Sequence, residues 1–354
     1  MSVDYIIVGQ GICGSLLSRE LIRAGKTVLV IDENRPMTAS KIASGLINPV
    51  TGKKMVTSWL SHELHPVALQ TYAALSEELN SPVIQAYDLL NFHPTIDAQA
   101  IFSRRETEDD TYLYTVLNER AWEAYFTIPF GIGSVSPCYL VDVQTFINKW
   151  QQVLQSMDAY RTATFSWADC TVMPDHIVYQ DIVATKIICC TGVAAMESPY
   201  FRLLPFQLNK GEALIVQIPG LPRDRIYKHG EISVVPWKED QFWIGSIFDR
   251  EYTDEYPTAA FRKRATETLD RWLRLPYTIV DHVAALRPAT GGQKPFVGVH
   301  PVHTSVAILN GMGSKGCSLA PFFARQLTAH LLEGALIQPE ADIGRFKNVL
   351  SRPL

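Results

Sequence analysis

The first thirty residues alternate between apolar runs and one glycine-rich turn. Residues 3–8 form an apolar run, VDYIIV, and a turn with three glycines follows at 9–14. Apolar positions then recur at helical spacing as far as Ala24, and residues 27–31, TVLVI, form a second apolar run. This pattern predicts a strand, a helix and a second strand, which together make a βαβ unit.

The glycines of this unit have the spacing of a dinucleotide-binding turn. Gly9 is expected to make the tight turn, Gly11 to let a pyrophosphate approach the backbone, and Gly14 to let helix and strand pack closely. Asp32 ends the second strand, where a carboxylate accepts hydrogen bonds from a ribose, and is preferred over Glu33 because alternate strand residues point to opposite faces. The alternative is a glycine turn that serves packing alone.

A similar pattern recurs near the end of the chain. Residues 306–310 predict a strand, the glycines Gly311, Gly313 and Gly316 follow it, and apolar spacing predicts a helix over 318–332. No second strand ending in an acid comes after this helix. Two interpretations stay open: the loop serves another part of the same cofactor, or it is a glycine turn before a core helix.

The middle of the chain contains strands of two kinds. The spacing predicts an amphipathic helix over 139–155 and a buried strand over 186–190, the return strand of a doubly wound sheet. Other runs alternate polar and apolar residues and predict an antiparallel set at 89–93, 213–218, 232–237 and 241–245. The sequence therefore predicts a nucleotide-binding domain interrupted by a sheet-based second domain.

Composition narrows the range of partners. The chain has 354 residues, of which 47% are hydrophobic and 19% charged, and its formal net charge is −4, so no nucleic-acid partner is expected. The start lacks a basic region before a long apolar run, and no apolar stretch is long enough for a bilayer, so a cytoplasmic location is expected. The six cysteines show no metal-ligand spacing, and we expect no metal site.

Six stretches together resemble one enzyme family along nearly the whole chain. They are DYIIVGQGICG with VLVID, SGLINPVTG at 44–52, ATKIICCTG at 184–192, VPWKEDQFWIGS at 235–246, LRPATGGQKPFVG at 286–298 and GMGSKGCSLAP at 311–321. The family is the FAD-dependent D-amino-acid oxidase, glycine oxidase and sarcosine oxidase superfamily, the DAO family. The last stretch looks closest to the flavin domain of the bifunctional tRNA-modifying protein.

The resemblance implies an α/β fold with a doubly wound, Rossmann-like FAD-binding domain and a mainly antiparallel α+β substrate domain. The expected limits are 1–82, 137–202 and 289–354 for the first and 83–136 and 203–288 for the second. One noncovalent FAD would use both glycine loops. The cofactor-binding residues so implied are Gly9, Gly11, Ile12, Gly14, Asp32, Ser44, Gly45, Val172, Thr191, Gly192, Gly311, Gly313, Ser314, Lys315 and Gly316.

The same resemblance implies the chemistry. Arg287 would hold a substrate carboxylate over the flavin, and hydride transfer from a carbon next to an uncharged amine to flavin N5 would give an imine that hydrolyses. The amides of Gly313 to Gly316, with Lys315, would stabilise charge on the reduced flavin. Oxygen or a quinone would accept the electrons. The alternatives are an Arg287 paired with an internal acid and a solvated Lys315.

One departure from the family bears on the substrate. Glycine and D-amino-acid oxidases have a tyrosine in a YxxP strand motif, whereas this chain reads SVVP, with Ser233 in that place. Three function classes stay open: oxidation of a small amine or amino acid, oxidation of a modified nucleoside side chain, and flavin binding without catalysis. A monooxygenase of the aromatic-hydroxylase type is disfavoured because the chain contains no Gly-Asp pair.

Overall fold

The structure is a computed structural model that describes residues 1–108 and 111–352. Two large β-sheets organise the chain. The strands are β1 Ser2–Val8, β2 Val28–Asp32, β3 Leu46–Ile47, β4 Val50–Thr51, β5 Val56–Thr57, β6 Ile84–Phe92, β7 Leu113–Thr115, β8 Ile132–Val141, β9 Tyr160–Thr162, β10 Cys170–Val172, β11 Ile177–Tyr179, β12 Ile182–Cys189, β13 Asn209–Gln217, β14 Arg225–His229, β15 Ile232–Pro236, β16 Gln241–Gly245, β17 Thr278–Arg287, β18 Phe296–Val299 and β19 Val306–Asn310. The helices are α1 Ile12–Arg23, α2 Ser61–Glu78, α3 Ile96–Glu108, α4 Val143–Ser156, α5 Ala259–Trp272, α6 Gly316–Glu333 and α7 Lys347–Leu350.

The first sheet, called sheet A, contains the predicted βαβ unit. Strand β1 lies at its centre and pairs in parallel with β2 on one side and with β12 on the other. Strand β9 extends the sheet beyond β2, and β19 pairs in parallel with the end of β12. Because β1, β2, β12 and β19 run in one direction, their carboxyl ends meet at one edge, where both glycine loops begin.

The second sheet, called sheet B, has the order β17-β13-β16-β15-β14-β6-β8-β3. Its pairs are antiparallel except β14 with β6, which is parallel. One face packs against α5, with Phe261, Leu269 and Trp272 in an apolar cluster together with Leu214 and Phe242. The opposite face carries a second apolar cluster, in which Ile215, Val235 and Trp243 pack with Phe102 of α3.

The prediction of a helix over 139–155 is wrong at its start. Tyr139, Leu140 and Val141 belong to β8 and pair with β6 and β3, and the helix begins at Val143 after the N-cap Asp142. Tyr139 and Val141 fit a helical pattern and a strand pattern equally well, so only the partner strands decide between them.

The predicted fold class is confirmed: a nucleotide-binding α/β sheet is combined with a mainly antiparallel second sheet. The predicted domain limits remain a proposal. Strand β8 crosses the proposed limit at 136/137, and β3, from the segment assigned to the first domain, pairs in sheet B. Among the described helices, none combines the length and apolarity needed to cross a bilayer.

Candidate cofactor and substrate site

The first glycine loop depends on close backbone approaches. Gly9 has φ +96°, and a Cβ there would overlap the carbonyl of Cys190 at the end of β12. A Cβ at Gly14 would overlap the carbonyl oxygen of Gly9. Side chains at these two positions would therefore push α1 away from the sheet edge.

Asp32 is held at the mouth of this loop. Its carboxylate accepts hydrogen bonds from the amides of Gln10 at 2.7 Å and Asn34 at 2.6 Å. Each carboxylate oxygen has a second lone pair, so a ribose hydroxyl can still be accepted. Glu33, by contrast, pairs with Arg35 at the surface.

The second glycine loop lies directly beside the first. A Cβ at Gly316, the first residue of α6, would lie 3.4 Å from the side chain of Ile12, the first residue of α1. Asn310 joins the loops further: its Nδ2 donates to the carbonyl of Gly192 at 2.9 Å, and its Oδ1 accepts from the amide of Gly311 at 2.7 Å. Two helix N-termini with their unpaired amides thus open onto one place.

The amides of the second loop are less free than the sequence implied. Gly313 donates its amide hydrogen to Pro288 at 3.0 Å, and Lys315 donates its own to Met312 at 3.1 Å. The expectation that all amides from 313 to 316 face the flavin is therefore wrong for these two. Within the described chain, the amides of Ser314, Gly316 and Cys317 remain as donors.

Lys315 is not a solvated surface lysine. Its Nζ donates to the hydroxyl of Ser58 at 3.0 Å, and burial lowers its pKa below the ordinary value. Nearby Lys294 lies over the ring of Trp59, with Nζ 3.6 Å from the ring centroid. The second loop therefore has a positively charged surrounding that suits an anionic ligand.

Arg287 ends β17 and is held in a fixed position. Its Nη1 donates to Asn209 Oδ1 at 3.0 Å and to the carbonyl of Ile247 at 3.1 Å, and its Nη2 donates to the hydroxyl of Ser246. The guanidinium lies where a Cβ at Gly211 would be, so a glycine is needed beneath it. Phe248 covers it, with the ring centroid 5.4 Å from Cζ.

The Arg287 guanidinium has no carboxylate partner within 4 Å among the described residues, so the alternative of an internal ion pair is wrong. Burial lowers the pKa of Arg287 to about 10, which leaves it charged at neutral pH. Beside it, the buried Nδ2 of Asn209 has no hydrogen-bond partner in the described chain. A buried cation is costly unless an anion neutralises it.

A short segment links the cofactor loops to sheet B. Ser40 accepts the amide hydrogen of Ile12 at 3.1 Å, and the carbonyl of Ile42 accepts from Trp243 Nε1 at 3.0 Å. Gly45 then accepts the amide hydrogen of Val141 at 3.0 Å, with Ser44 partly buried next to it. The segment 40–45 therefore passes from α1 to sheet B.

Val172 does not join the other predicted cofactor residues. It pairs with Ile177 on β11, which pairs with Ala184, which lies beside Val3 at the start of β1. The glycine loop starts at the other end of β1, so Val172 is separated from it by three strands and the length of the strand. Thr191, after the carboxyl end of β12, does lie beside Gly9, and Gly192 follows it and accepts a hydrogen bond from Asn310.

Sequence reasoning missed four side chains that shape the site: Ser40, Asn209, Ser246 and Asn310. Asn310 had a sequence signal, because a polar residue ends an otherwise apolar strand just before the glycines. Ser40 and Asn209 lie in stretches without a motif, and Ser246 ends the family-like stretch 235–246, but only long-range contacts reveal the roles of these three.

The glycine loops fit the pyrophosphate of FAD. A Cβ at Gly11 would lie 3.0 Å from Ser40 Oγ, and without it the loop backbone stays accessible, as the fingerprint requires for a pyrophosphate. Two adjacent helix N-termini, an acid at the end of β2 and nearby lysines match a dinucleotide with two phosphates. Within the described ranges, no group of three or more His, Cys, Asp or Glu side chains is arranged to hold a metal ion.

The fold and these loops have the arrangement typical of dinucleotide-binding proteins, with a second, mainly antiparallel sheet beside them, and the comparisons narrow the class. Residues 170–330 match the family model of the FAD dependent oxidoreductases, DAO. The curated relative YurR of Bacillus subtilis (strain 168), an uncharacterized oxidoreductase, is 23% identical over 372 residues, or 97% of this chain and 98% of that protein.

Solved structures share the whole fold. Glycine oxidase from Bacillus cereus ATCC 14579 is similar with a TM-score of 0.78 and 16% identity over 99% of both chains. Iminodiacetate oxidase from Chelativorans sp. BNC1 is similar with a TM-score of 0.77 and 19% identity, covering 94% of this chain and 96% of that one. The resemblance inferred from the sequence is confirmed over residues 170–330, which match the DAO family model, and the whole chain shares the fold of these oxidases.

Proposed function

We propose that this protein oxidises the C–N bond of a small amine that carries a carboxylate, with one noncovalent FAD as the oxidant. The observation that carries the proposal is Arg287, a buried guanidinium with no carboxylate partner among the described residues. Its planar donors match a carboxylate, and the bonds from Asn209 and Ser246 fix their direction.

In this proposal sheet A binds the cofactor and sheet B binds the substrate. The glycine loops of sheet A, with Asp32 and Ser40, would hold the FAD, and Arg287 on sheet B would bind the substrate carboxylate and so orient the carbon next to the amine. When bound, FAD would supply the two-electron oxidant that turns C–N into C=N. The resulting imine would hydrolyse in water, and oxygen or a quinone would take up the electrons.

Noncovalent attachment is supported by the state of Cys317, the cysteine in the second loop. It is buried, and burial raises its pKa to about 12, so little of it exists as the reactive thiolate.

Two similar proteins, glycine oxidase and iminodiacetate oxidase, are named for substrates that are amines bearing carboxylates. These names support the proposed substrate class, an amine that carries a carboxylate.

The test mixes FAD-loaded protein with pairs of amines under anaerobic conditions. Each pair has one member with a carboxylate and one without, such as glycine with methylamine and sarcosine with dimethylamine; D-amino acids, proline, iminodiacetate and modified nucleosides complete the panel. We expect loss of flavin absorbance with carboxylated members and little with their partners. Bleaching by modified nucleosides alone would favour the alternative substrate class, and bleaching by none would contradict an amine-oxidising enzyme.

A further inference from the structure

A cavity of about 100 Å³ lies between sheet B and the loop that follows Gly45. Asn48 and Met55 line it from the loop, and Leu89, Asn91, Val135 and Lys228 line it from β6, β8 and β14. None of these residues holds Arg287 in place, so the cavity is distinct from the carboxylate position described above.

The strand register puts this cavity on the same face of sheet B as Arg287. Arg287 pairs with Asn209 on β13, and Ala213, four residues further along that strand, points the same way. From Ala213 the pairing continues across the sheet through Gly245, Ser233, Lys228 and Asn91. Residues paired in this way project to one face, so Lys228 and Arg287 face the same side.

The residues between the two cations are small. Ala213, Gly245 and Ser233 separate the region of Arg287 from Lys228, and the Trp243 indole covers Gly245. A tyrosine at the position of Ser233 would be much larger. The departure from the YxxP pattern therefore places a small side chain directly beside Lys228.

The cavity offers mainly hydrogen-bond donors. Lys228 has no acid within 4 Å among the described residues, and burial lowers its pKa while Glu231 opposes that shift. Glu231 instead lies 3.8 Å from exposed Lys53. Asn48 uses its Oδ1 to accept the amide hydrogen of Val50 at 2.9 Å, which leaves its NH₂ group for a ligand.

Asn91 adds to the same donor set. Its Nδ2 contacts only the sulfur of Met55, at 4.0 Å, which is a weak acceptor. A polar wall of one ammonium and two amides would bind a carboxylate better than an apolar side chain.

We propose that the Lys228 cavity is a second anion subsite and that the substrate is an amine with two acidic groups, one at Arg287 and a distal one at Lys228. This inference rests on the proposed function. Lys228 would determine specificity without taking part in the oxidation, and it would disfavour amino acids that lack a second carboxylate.

The register also sets the length of such a substrate. The guanidinium lies over Gly211 on β13, and Lys228 is three strands away on β14, which is about 14 Å at about 4.8 Å per strand. Two residues of offset along the strand and the reach of the lysine side chain leave on the order of 10 Å between the charged groups. Malonate is too short for this gap, so longer dicarboxylates should bind better.

The test measures binding of dicarboxylates from malonate to suberate to the FAD-loaded protein, each against the monocarboxylate of equal chain length. Calorimetry gives the affinity, and the flavin absorbance difference spectrum gives a second readout. We expect at least one dicarboxylate longer than malonate to bind about 10- to 100-fold more tightly than its monocarboxylate, the effect of one charge-assisted contact.

The variants separate the subsite from a general effect of charge. Lys228→Met should remove the preference for the second carboxylate, Lys228→Arg should retain it, and Lys238→Met, at an exposed lysine, should leave it unchanged. FAD content and melting temperature report whether each variant folds. If the Met variant fails to fold, the wild-type and Arg chain-length series still decides, because a missing preference in either one overturns the subsite.

The two proposals fail in different ways. No preference for a second carboxylate, or a preference that survives in Lys228→Met, overturns the subsite while flavin reduction by carboxylated amines persists. A preference that depends on Lys228 in a protein whose flavin no amine reduces overturns the proposed function and leaves the subsite standing.

Discussion

The two sheets of this protein make their sites in different ways. Sheet A brings together backbone: the loop at Gly9, the carbonyl of Cys190 and the N-termini of α1 and α6 lie within contact of one another. Sheet B presents side chains from a broad face, chiefly Arg287 and Lys228. A site built from backbone suits a cofactor that stays bound, because it does not depend on particular side chains. A site built from side chains suits a substrate that differs between enzymes, because single substitutions can change it.

The comparison also explains the repeated glycine pattern. In the first loop the glycines allow close packing, and Asp32 would complete the proposed nucleotide site. In the second loop Gly313 is bonded to Pro288, which directly follows Arg287, so this loop connects the cofactor side to the substrate strand. The same spacing thus serves two parts of one proposed FAD site.

The largest effect should come from Gly14→Ala in sheet A. The new methyl group would overlap the Gly9 carbonyl. We therefore expect the free energy of unfolding to fall by about 3 kcal/mol or more, and the variant to lose its FAD. Gly25→Ala is the matched control, since Gly25 has φ +74° but no atom within 4 Å, and should cost only about 1 kcal/mol. Urea unfolding and flavin content measure both. Equal effects would contradict the role of close packing.

A substitution in sheet B should spare the cofactor. Arg287→Met is expected to lower kcat/KM for carboxylated amines by roughly 100-fold, because a charge-assisted pair is lost, while flavin content stays near one. Arg287→Lys should recover only part of the loss, since lysine lacks the planar fork. Exposed Arg202→Met is the control. Loss of FAD together with activity would contradict the proposal that sheet A binds the cofactor and sheet B binds the substrate.

Lys315 tests the connection between the sheets. If its ammonium stabilises charge on the reduced flavin, Lys315→Met should lower the two-electron midpoint potential by about 30 mV, which corresponds to roughly a tenfold change. Lys54→Met, at an exposed lysine, should leave the potential unchanged. An unchanged potential in both variants would place Lys315 away from the flavin.

A pH dependence of stability should be carried by one buried histidine in each region. Burial lowers the pKa of His93, after β6, and of His300, after β18, to about 4 each. Below pH 6.5 the unfolded chain binds protons that the native protein does not, so stability falls on acidification from about 6.5 to 4, by up to about 1.4 kcal/mol per pH unit for each residue.

His300→Asn tests the sheet A half of this slope. Asparagine can replace Nδ1 as the acceptor for the amides of Val302 and His303, which His300 binds at 3.2 and 3.0 Å, without titrating. The slope of unfolding free energy against pH should be reduced in this variant and unchanged in His62→Asn, at an exposed histidine. An unaltered slope in His300→Asn would contradict the assignment.

Much of sheet A was predictable because its signals are local. The strands at 3–8 and 306–310, the helices after them and the glycines between them follow from spacing within a few residues. Asp32 follows from the same βαβ unit. The resemblance to a known family extended this to the fold as a whole.

The rest depends on contacts between distant segments. Residues 139–141 form a strand because β6 and β3 pair with them. The amide of Gly313 donates its hydrogen to the carbonyl of Pro288, which lies in a different segment of the chain. Ser40 and Asn209 belong to no motif. Val172 was expected at the cofactor edge of sheet A because of the resemblance, but its strand pairing places it away from that edge. Such positions are decided by tertiary packing, which no local window contains.

The most direct test of the account counts FAD per chain. Titration of flavin-free protein with FAD, followed by separation of bound from free flavin, should give one FAD per chain in the wild type and in Arg287→Met, with release of intact FAD on acid precipitation. Two equivalents, or none after reconstitution, would contradict the claim that both glycine loops serve a single flavin.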